Sequence, residues 1–192
     1  MQCAKTHLTP EELIRVLRIA RALRIRDWCM ILVAYRHGLR TSEVCDLKLA
    51  DIKGGSLSVK RAKGSLKTVQ PLGQHPSEPL LDEVTALQVW LRERPNNRSD
   101  SLFPSRKGGA LHKTQFFRLF QSVGKQAGLP AYKRNPRILK YSLAAHLLES
   151  HVDVVLVNQV LGHRSINSTL KYVKRTDKQA AAAAQEAIVK MF

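Results

Sequence analysis

Cysteine is scarce in this chain, with three residues (Cys3, Cys29 and Cys45) among 192. An odd count with no Cys-x-x-Cys pair and no Cys/His ligand spacing supports neither a disulfide framework nor a zinc site. The scarcity fits a reducing compartment. No apolar run approaches the roughly 20 residues that cross a bilayer, and no secretory leader pattern is visible. Together these absences predict a soluble protein of the cytoplasm. Acidic residues are also few: 15 Asp and Glu stand against 32 Lys and Arg, a formal charge of +17.

The shortage of acid is local as well as global. From Ser101 to Leu148 there is no acidic residue, while Arg106, Lys107, Lys113, Arg118, Lys125, Lys133, Arg134, Arg137 and Lys140 all fall there. A second acid-free stretch, Ile52 to Ser77, carries Lys53, Lys60, Arg61, Lys63 and Lys67. A solvated basic surface is the ordinary explanation of such runs, but nucleic-acid binders also concentrate charge this way. The excess predicts a polyanionic partner and strongly salt-dependent binding.

What is present is mostly helix signal. Apolar content of 44% is enough for a core. Thr9-Pro10-Glu11-Glu12 reads as a capped helix start, followed by Leu13, Val16, Leu17 and Ala20 on one face. A second helix is predicted over Asp27 to His37, ended by Gly38, and a third from about Arg40. Ser56–Lys60 and Thr68–Leu72 alternate like strands around a turn at Lys63-Gly64-Ser65. Glu78–Arg94 returns to helix, and Ser101–Phe103 reads as one more short strand. Helices are then expected over Lys113–Ala127, Pro136–Glu149, Val152–Leu161, Asn167–Val173 and Lys178–Lys190. The fold class is mainly α with a small antiparallel β-sheet. A single domain over residues 1–192 is expected, with helices in 10–50, a β-hairpin region in 52–72 and a helical remainder.

Four segments carry residues suited to phosphate chemistry. Arg40, in Gly38-Leu-Arg40-Thr-Ser-Glu43, lies at a helix start. There guanidinium donors join free backbone N–H groups and the positive end of the dipole. Glu43, one turn on, can hold that guanidinium, although a capping and surface ion pair explains the same residues. Lys63 lies in the hairpin turn, where a lysine is ordinarily solvated but can also reach a leaving-group oxygen. Arg137 and Lys140 are spaced to share a helix face near its N-terminus, beside Ile138, Leu139 and Leu143, which read as core. Finally, His163 precedes Tyr172 by nine residues, with Gly162 ending the helix before them. A tyrosine there is commonly half-buried structure. Beside phosphate-binding cations it is also a nucleophile that can cut DNA through a covalent phosphotyrosine.

In order and spacing these segments resemble the catalytic domain of the tyrosine recombinases, the phage integrase family. Gly38-Leu-Arg40-x-x-Glu43-x-x-x-Leu47 looks like the family's first arginine box. The Lys63-Gly64 hairpin ending in Val69-Gln-Pro71-Leu72 is similar to its lysine turn. His146-Leu-Leu148 belongs to its second box, and Leu161-Gly-His163 through Tyr172 to its nucleophile segment. Leu8-Thr9-x-x-Glu12 resembles the opening of that domain. The resemblance implies the DNA breaking-rejoining enzyme fold and a site-specific recombinase. Tyr172 would form a 3′-phosphotyrosyl bond and Arg40 would hold the non-bridging oxygens. Lys63 would protonate the departing 5′-oxygen, and His163 would donate to the phosphate. It implies no metal and no nucleotide cofactor, in keeping with the lack of metal-ligand clusters and phosphate-binding glycine loops. It also implies double-stranded DNA as partner, a homo-oligomer (a tetramer on DNA) in the nucleoid and no membrane. The C-terminal helix 178–192 would dock on a neighbouring protomer or pack on its own domain.

The match departs from the family in two places. The second box normally reads His-x-x-Arg, and here it reads Arg137-x-x-Lys140. Lysine offers a point charge where arginine offers a planar fork, and loss of one well-placed transition-state donor costs about 10²–10³ in rate. Weakened chemistry is therefore expected. The chain also starts where the family's catalytic domain starts, so no separate N-terminal DNA-clasping domain is expected. Two alternatives stand beside the recombinase: a DNA-binding or regulatory protein on a catalytically decayed scaffold, and an enzyme like the type IB topoisomerases.

Overall fold

Thr9 opens the first helix by a reciprocal cap. Its hydroxyl accepts the Glu12 N–H at 3.2 Å, and Glu12 Oε2 accepts the Thr9 N–H at 2.8 Å. With Pro10 preset for the first turn, helix α1 (Pro10–Leu23) follows and buries Leu13, Val16, Leu17 and Ala20, the face predicted from spacing. The computed structural model describes residues 7–62, 65–95, 99–173, 184–186 and 188–191.

Helix α2 (Ile25–Arg36) is apolar on all sides in its middle, where Trp28 through Ala34 are buried without a gap. Such a helix belongs at the centre of a domain. It packs against α1, α4 (Glu83–Glu93) and α6 (Arg137–Glu149). Its C-terminus delivers Gly38 and Arg40 to α3 (Thr41–Cys45).

The sheet has three antiparallel strands in the order β1-β2-β3: Ile52–Lys53, Ser56–Val59 and Thr68–Pro71. The register pairs Ile52 with Leu57, Leu57 with Gln70 and Val59 with Thr68. β1 has two residues, too short to show alternation in a sequence. Gly54 and Gly55, both at positive φ, make the β1–β2 turn that demands this conformation at both central positions.

Several boundaries moved. The strand expected at Ser101–Phe103 is a single bridge between Lys48 and Ser101. The helix expected over 78–94 is broken: Pro79–Leu81 form a 3₁₀ turn, and Asp82 caps α4 by accepting the Thr85 N–H at 2.7 Å. Helix α5 (Lys113–Gln126) matches its expected span closely. Helices α7 (Val154–Val160) and α8 (Asn167–Leu170) are shorter than expected, which leaves Tyr172 in the turn after α8. Of the C-terminal helix expected over 178–190, residues 184–186 and 188–190 are helical, and the rest of that span lies outside the described residues.

The main core joins α1, α2, α4, α5 and the sheet, with Ile138 and Leu139 of α6 at its edge. A smaller cluster of Leu143, Ala144, Val157 and Leu161 lies alongside, and Tyr35 and Tyr172 pack on it. Helix α6 thus spans both clusters. The architecture is mainly helical with a small antiparallel sheet, as expected.

Candidate active site

The site is built where α2, the hairpin and the end of α7 meet. Gly38 permits the meeting: at φ +55°, a conformation L side chains rarely adopt, a Cβ would lie 2.6 Å from Leu161 Cδ2, so a side chain there would be strained and would crowd Leu161. Two residues on, Arg40 caps α3, and Glu43 answers from one turn later. Glu43 Oε2 accepts the Arg40 N–H at 2.9 Å, and Oε1 accepts Arg40 Nη1 at 2.8 Å. Nη1 also donates to Ser65 Oγ at 3.0 Å. The Arg40 side chain is 39% exposed. Among the described residues both its bonds leave from Nη1, and none meets its Nη2–Nε edge.

Glu43 itself is buried beneath the site. Burial works to raise its carboxyl, but the N–H groups of Arg40 and Ala62 and the guanidinium groups of Arg40 and Arg61 outweigh it and hold it at about 2. Arg61 is the residue that sequence reading missed. Counted among basic surface charge, it is in fact buried and makes five hydrogen bonds. They go to Thr68 Oγ1, the carbonyls of His37, Gly38 and Val160, and Glu43 Oε2.

A helix leaves its last carbonyls without partners, and four consecutive carbonyls from the last residue of α7 onward are caught. Val160 O accepts Arg61 Nη2 at 3.0 Å and Gln70 Nε2 at 2.9 Å. Leu161 O accepts Lys140 Nζ at 2.9 Å, and Gly162 O accepts the Leu66 N–H at 2.9 Å. His163 O accepts Asn158 Nδ2 at 2.9 Å. The hairpin and α6 are thereby tied to the turn that carries His163. Gln70 extends the tie inward, since its Oε1 lies 2.6 Å from His37 Nδ1 and His37 Nε2 lies 2.7 Å from Glu83 Oε1.

Lys140 is 5% exposed. Burial, then the neighbouring charges of Arg61 and Arg40, push its amine down to about 7, with Glu43 opposing. The charge that lysine was expected to keep at this position is therefore held by only part of the molecules at neutral pH. Below pH 7 both folded and unfolded chains carry the proton, and folding bears the whole cost of burying it. Between about 7 and the ordinary lysine value near 10.4 only the unfolded chain binds it, so stability rises with pH. This residue should contribute a gain on the order of 4 kcal/mol across that window. Urea unfolding at pH 6, 7.5 and 9 should show the rise in the native protein and a flatter profile in Lys140→Met. Parallel profiles would overturn the assignment.

His163 is 6% exposed. Burial, followed by the charges of Lys140, Arg40 and Arg61, lowers its imidazole to about 4. Its ring lies nearly parallel to that of Tyr172, with centroids 6.5 Å apart, and the Tyr141 ring is 5.4 Å from Tyr172 on another side. Burial and then Tyr141 raise the Tyr172 hydroxyl to about 12 against the pull of Arg40. At neutral pH the phenol keeps its proton and must surrender it to an acceptor in any nucleophilic attack.

Of the six residues singled out from sequence, Arg40, Lys140, His163 and Tyr172 are brought together. Arg137, one turn before Lys140, is exposed on the first turn of α6, and its N–H bonds Asn135 Oδ1 at 3.1 Å. Lys63 lies outside the described residues, although Arg61, Ala62 and Ser65 beside it face Glu43 and Arg40. An open groove of about 940 Å³ lined by Arg24, Arg26, Arg106 and Lys107 lies at the opposite end of α2 and holds none of these residues. Among the described residues no cluster of three or more His, Cys, Asp or Glu could hold a metal ion, and no helix is long and apolar enough to cross a membrane.

Known proteins are similar to this chain. The sequence profile of the phage integrase family matches residues 6–179. The type 1 fimbriae regulatory protein FimE of Escherichia coli (strain K12) is 36% identical over 153 residues, covering 77% of this chain and 73% of FimE. Tyrosine recombinase XerA of Pyrococcus furiosus is 32% identical over 184 residues, covering 94% of this chain but 61% of XerA. The crystal structure of XerH bound to its difH substrate before cleavage superposes with a TM-score of 0.75 at 26% identity, covering 93% of this chain and 53% of that one. The chain thus spans about half of XerH and some three fifths of XerA. With its profile match across nearly the whole sequence and its fold shared with these recombinases, the chain belongs to the phage integrase family, the tyrosine recombinases.

Proposed function

We propose that this chain is the catalytic domain of a site-specific DNA recombinase that cuts and rejoins strands through a 3′-phosphotyrosyl link to Tyr172. The observation that carries the reading is a chain of contacts: Arg40 Nη1 donates to Ser65 Oγ, Ser65 pairs with His163 in a β-bridge, and the His163 ring lies against that of Tyr172. In the proposed reaction the Nη2–Nε edge of Arg40 holds the non-bridging oxygens of the scissile phosphate and stabilises the charge that builds on them. Lys63 protonates the departing 5′-oxygen. Lys140 and Arg137 stand at the second-box positions, and the buried, partly discharged amine of Lys140 makes the chemistry slower than an arginine would. The partner is double-stranded DNA, which suits the +17 charge and a place at the nucleoid. Family likeness also supports a homo-oligomer on DNA: XerH was solved bound to difH, and lambda integrase as a tetramer on a Holliday junction.

One observation favours a second reading. An amine lowered to about 7 and bonded to Leu161 O is poorly placed to clamp a phosphate, as in a scaffold kept for DNA binding alone. Covalent trapping separates the two. The protein is mixed with DNA from its source replicon, nicked so that the cleaved end diffuses away, and run on a denaturing gel beside Tyr172→Phe. An adduct that needs Tyr172 supports the recombinase. Tight DNA binding with no adduct from the native protein or from Lys140→Arg moves the assignment to the binding scaffold.

A further inference from the structure

At the end of α2 farthest from Arg40, the open groove of about 940 Å³ runs between α5 and the corner where α1 turns into α2. Gln115, Leu119, Ser122 and Gln126 line it at three- and four-residue spacing. One face of α5 therefore follows the groove along most of the helix, which is roughly 20 Å long. The corner contributes Leu23, Arg24 and Arg26, and the loop before α5 contributes Arg106 and Lys107.

The lining has two characters. Leu111 and Val123 are buried, Leu119 is half-buried, and Leu23 stands 49% exposed. Beside these apolar groups stand unneutralised cations. Arg26 is paired with Asp27 at 2.8 Å, but Arg24, Arg106 and Lys107 are exposed and form no ion pair among the described residues. A DNA backbone would use the cations and gain nothing from the leucines. A basic protein segment would use the leucines and be repelled by the cations. Residues 178–192 of this chain fall in that class, with Lys178 and Lys190 against Glu186. A segment with leucine-like side chains on one face and carboxylates beside them uses both features, in the manner of amphipathic helices that lie in grooves.

We propose that this groove is a protein-docking surface for a short acidic, amphipathic segment of another protein. Its apolar side chains would cover Leu23 and Leu119, and its carboxylates would meet Arg24, Arg106 and Lys107. The proposal does not depend on the chemistry at Tyr172, because the groove holds none of the residues of that site.

The probe is a synthetic peptide of about 14 residues, long enough to run the groove as a helix, with leucines along one face and glutamates beside them. Two controls replace its glutamates by lysine or its leucines by serine. Binding to the full chain is read by fluorescence anisotropy at about 0.15 M salt, where attraction between distant charges is screened. The leucine–glutamate peptide should bind saturably, and both controls should bind at least tenfold more weakly, roughly the worth of 1.4 kcal/mol. Leu23→Gln, and Arg106→Glu combined with Lys107→Glu, should each weaken the peptide by about tenfold. Arg118→Glu combined with Lys125→Glu makes the same change in net charge on a neighbouring exposed face of α5 and should leave affinity within about twofold. All these side chains are exposed, so the variants keep the fold. No saturable binding overturns the proposal. Equal losses in the two charge-reversal pairs, or none in Leu23→Gln, overturn it in favour of general attraction to a basic protein. A DNA duplex that displaces the peptide and weakens with it in the same variants assigns the groove to DNA instead. A native dimer that dissociates in Leu23→Gln during sedimentation assigns it to a second copy.

Discussion

Tyr172→Phe should abolish covalent adduct formation altogether while DNA affinity stays within about twofold of native. The substitution removes one oxygen and leaves the ring that packs on the small cluster of Leu143, Ala144, Val157 and Leu161 and lies against His163 and Tyr141. Fold and binding surface are therefore retained, and unfolding midpoints should coincide. The loss is total because the attacking oxygen itself is removed. Tyr141 is another phenol beside it, on α6 and 40% exposed. An adduct surviving in Tyr172→Phe and vanishing in Tyr141→Phe would transfer the nucleophile to α6. A denaturing gel of the two variants side by side decides.

Glu43→Gln should destabilise the fold by about 3–5 kcal/mol, although it changes neither size nor shape. Four donors converge on the two carboxylate oxygens: Arg40 N and Arg61 Nη1 on Oε2, Arg40 Nη1 and Ala62 N on Oε1. Glutamine supplies one acceptor oxygen and turns an NH₂ group toward the other pair of donors, and it leaves the buried Arg61 guanidinium without its countercharge. The carboxyl also gives the fold an acid limit. Its folded value of about 2 lies below that of an unfolded glutamate near 4.3. The contribution is fully present above pH 4.3 and is lost as pH falls through 2, on the order of 3 kcal/mol. Urea titrations at pH 7 and 3.5 should show the variant weaker at pH 7 and the gap narrowing at pH 3.5. A difference under 1 kcal/mol at pH 7 would falsify this account of Glu43.

The residues that chemistry would use were legible in the sequence where local spacing places them. Arg40 follows a helix-ending glycine, and Tyr172 stands at a set distance from His163, so a few bonds of chain settle each neighbourhood. Glu43 was legible for the same reason, being one helical turn from its partner. Arg61 was hidden because its burial depends on Glu43, 18 residues back, and Val160, 99 residues ahead; nothing nearby distinguishes it from Lys60. The state of Lys140 was equally remote, since it depends on α7 arriving with Leu161 over Gly38. Arg137 and Lys140 were read as one face from their spacing, yet one is exposed and the other buried, because α7 covers only the second. The short β1 and the break before α4 escaped for a local reason. Two paired residues have no period, and Asp82 starts a new helix inside a run that reads as one.

The captured carbonyls at the end of α7 also bear on the order in which the site assembles. Arg61 and Gln70 reach Val160 across 99 and 90 residues of chain, and Lys140 reaches Leu161 across 21. Contacts so distant in sequence close only after the intervening segments have folded, since loop-closure entropy must be met before they form. Nascent or partly unfolded copies therefore have the tyrosine without its surroundings. Under the proposed function, such a chain cannot cut DNA until its topology is complete, and a local opening of the hairpin undoes the site again.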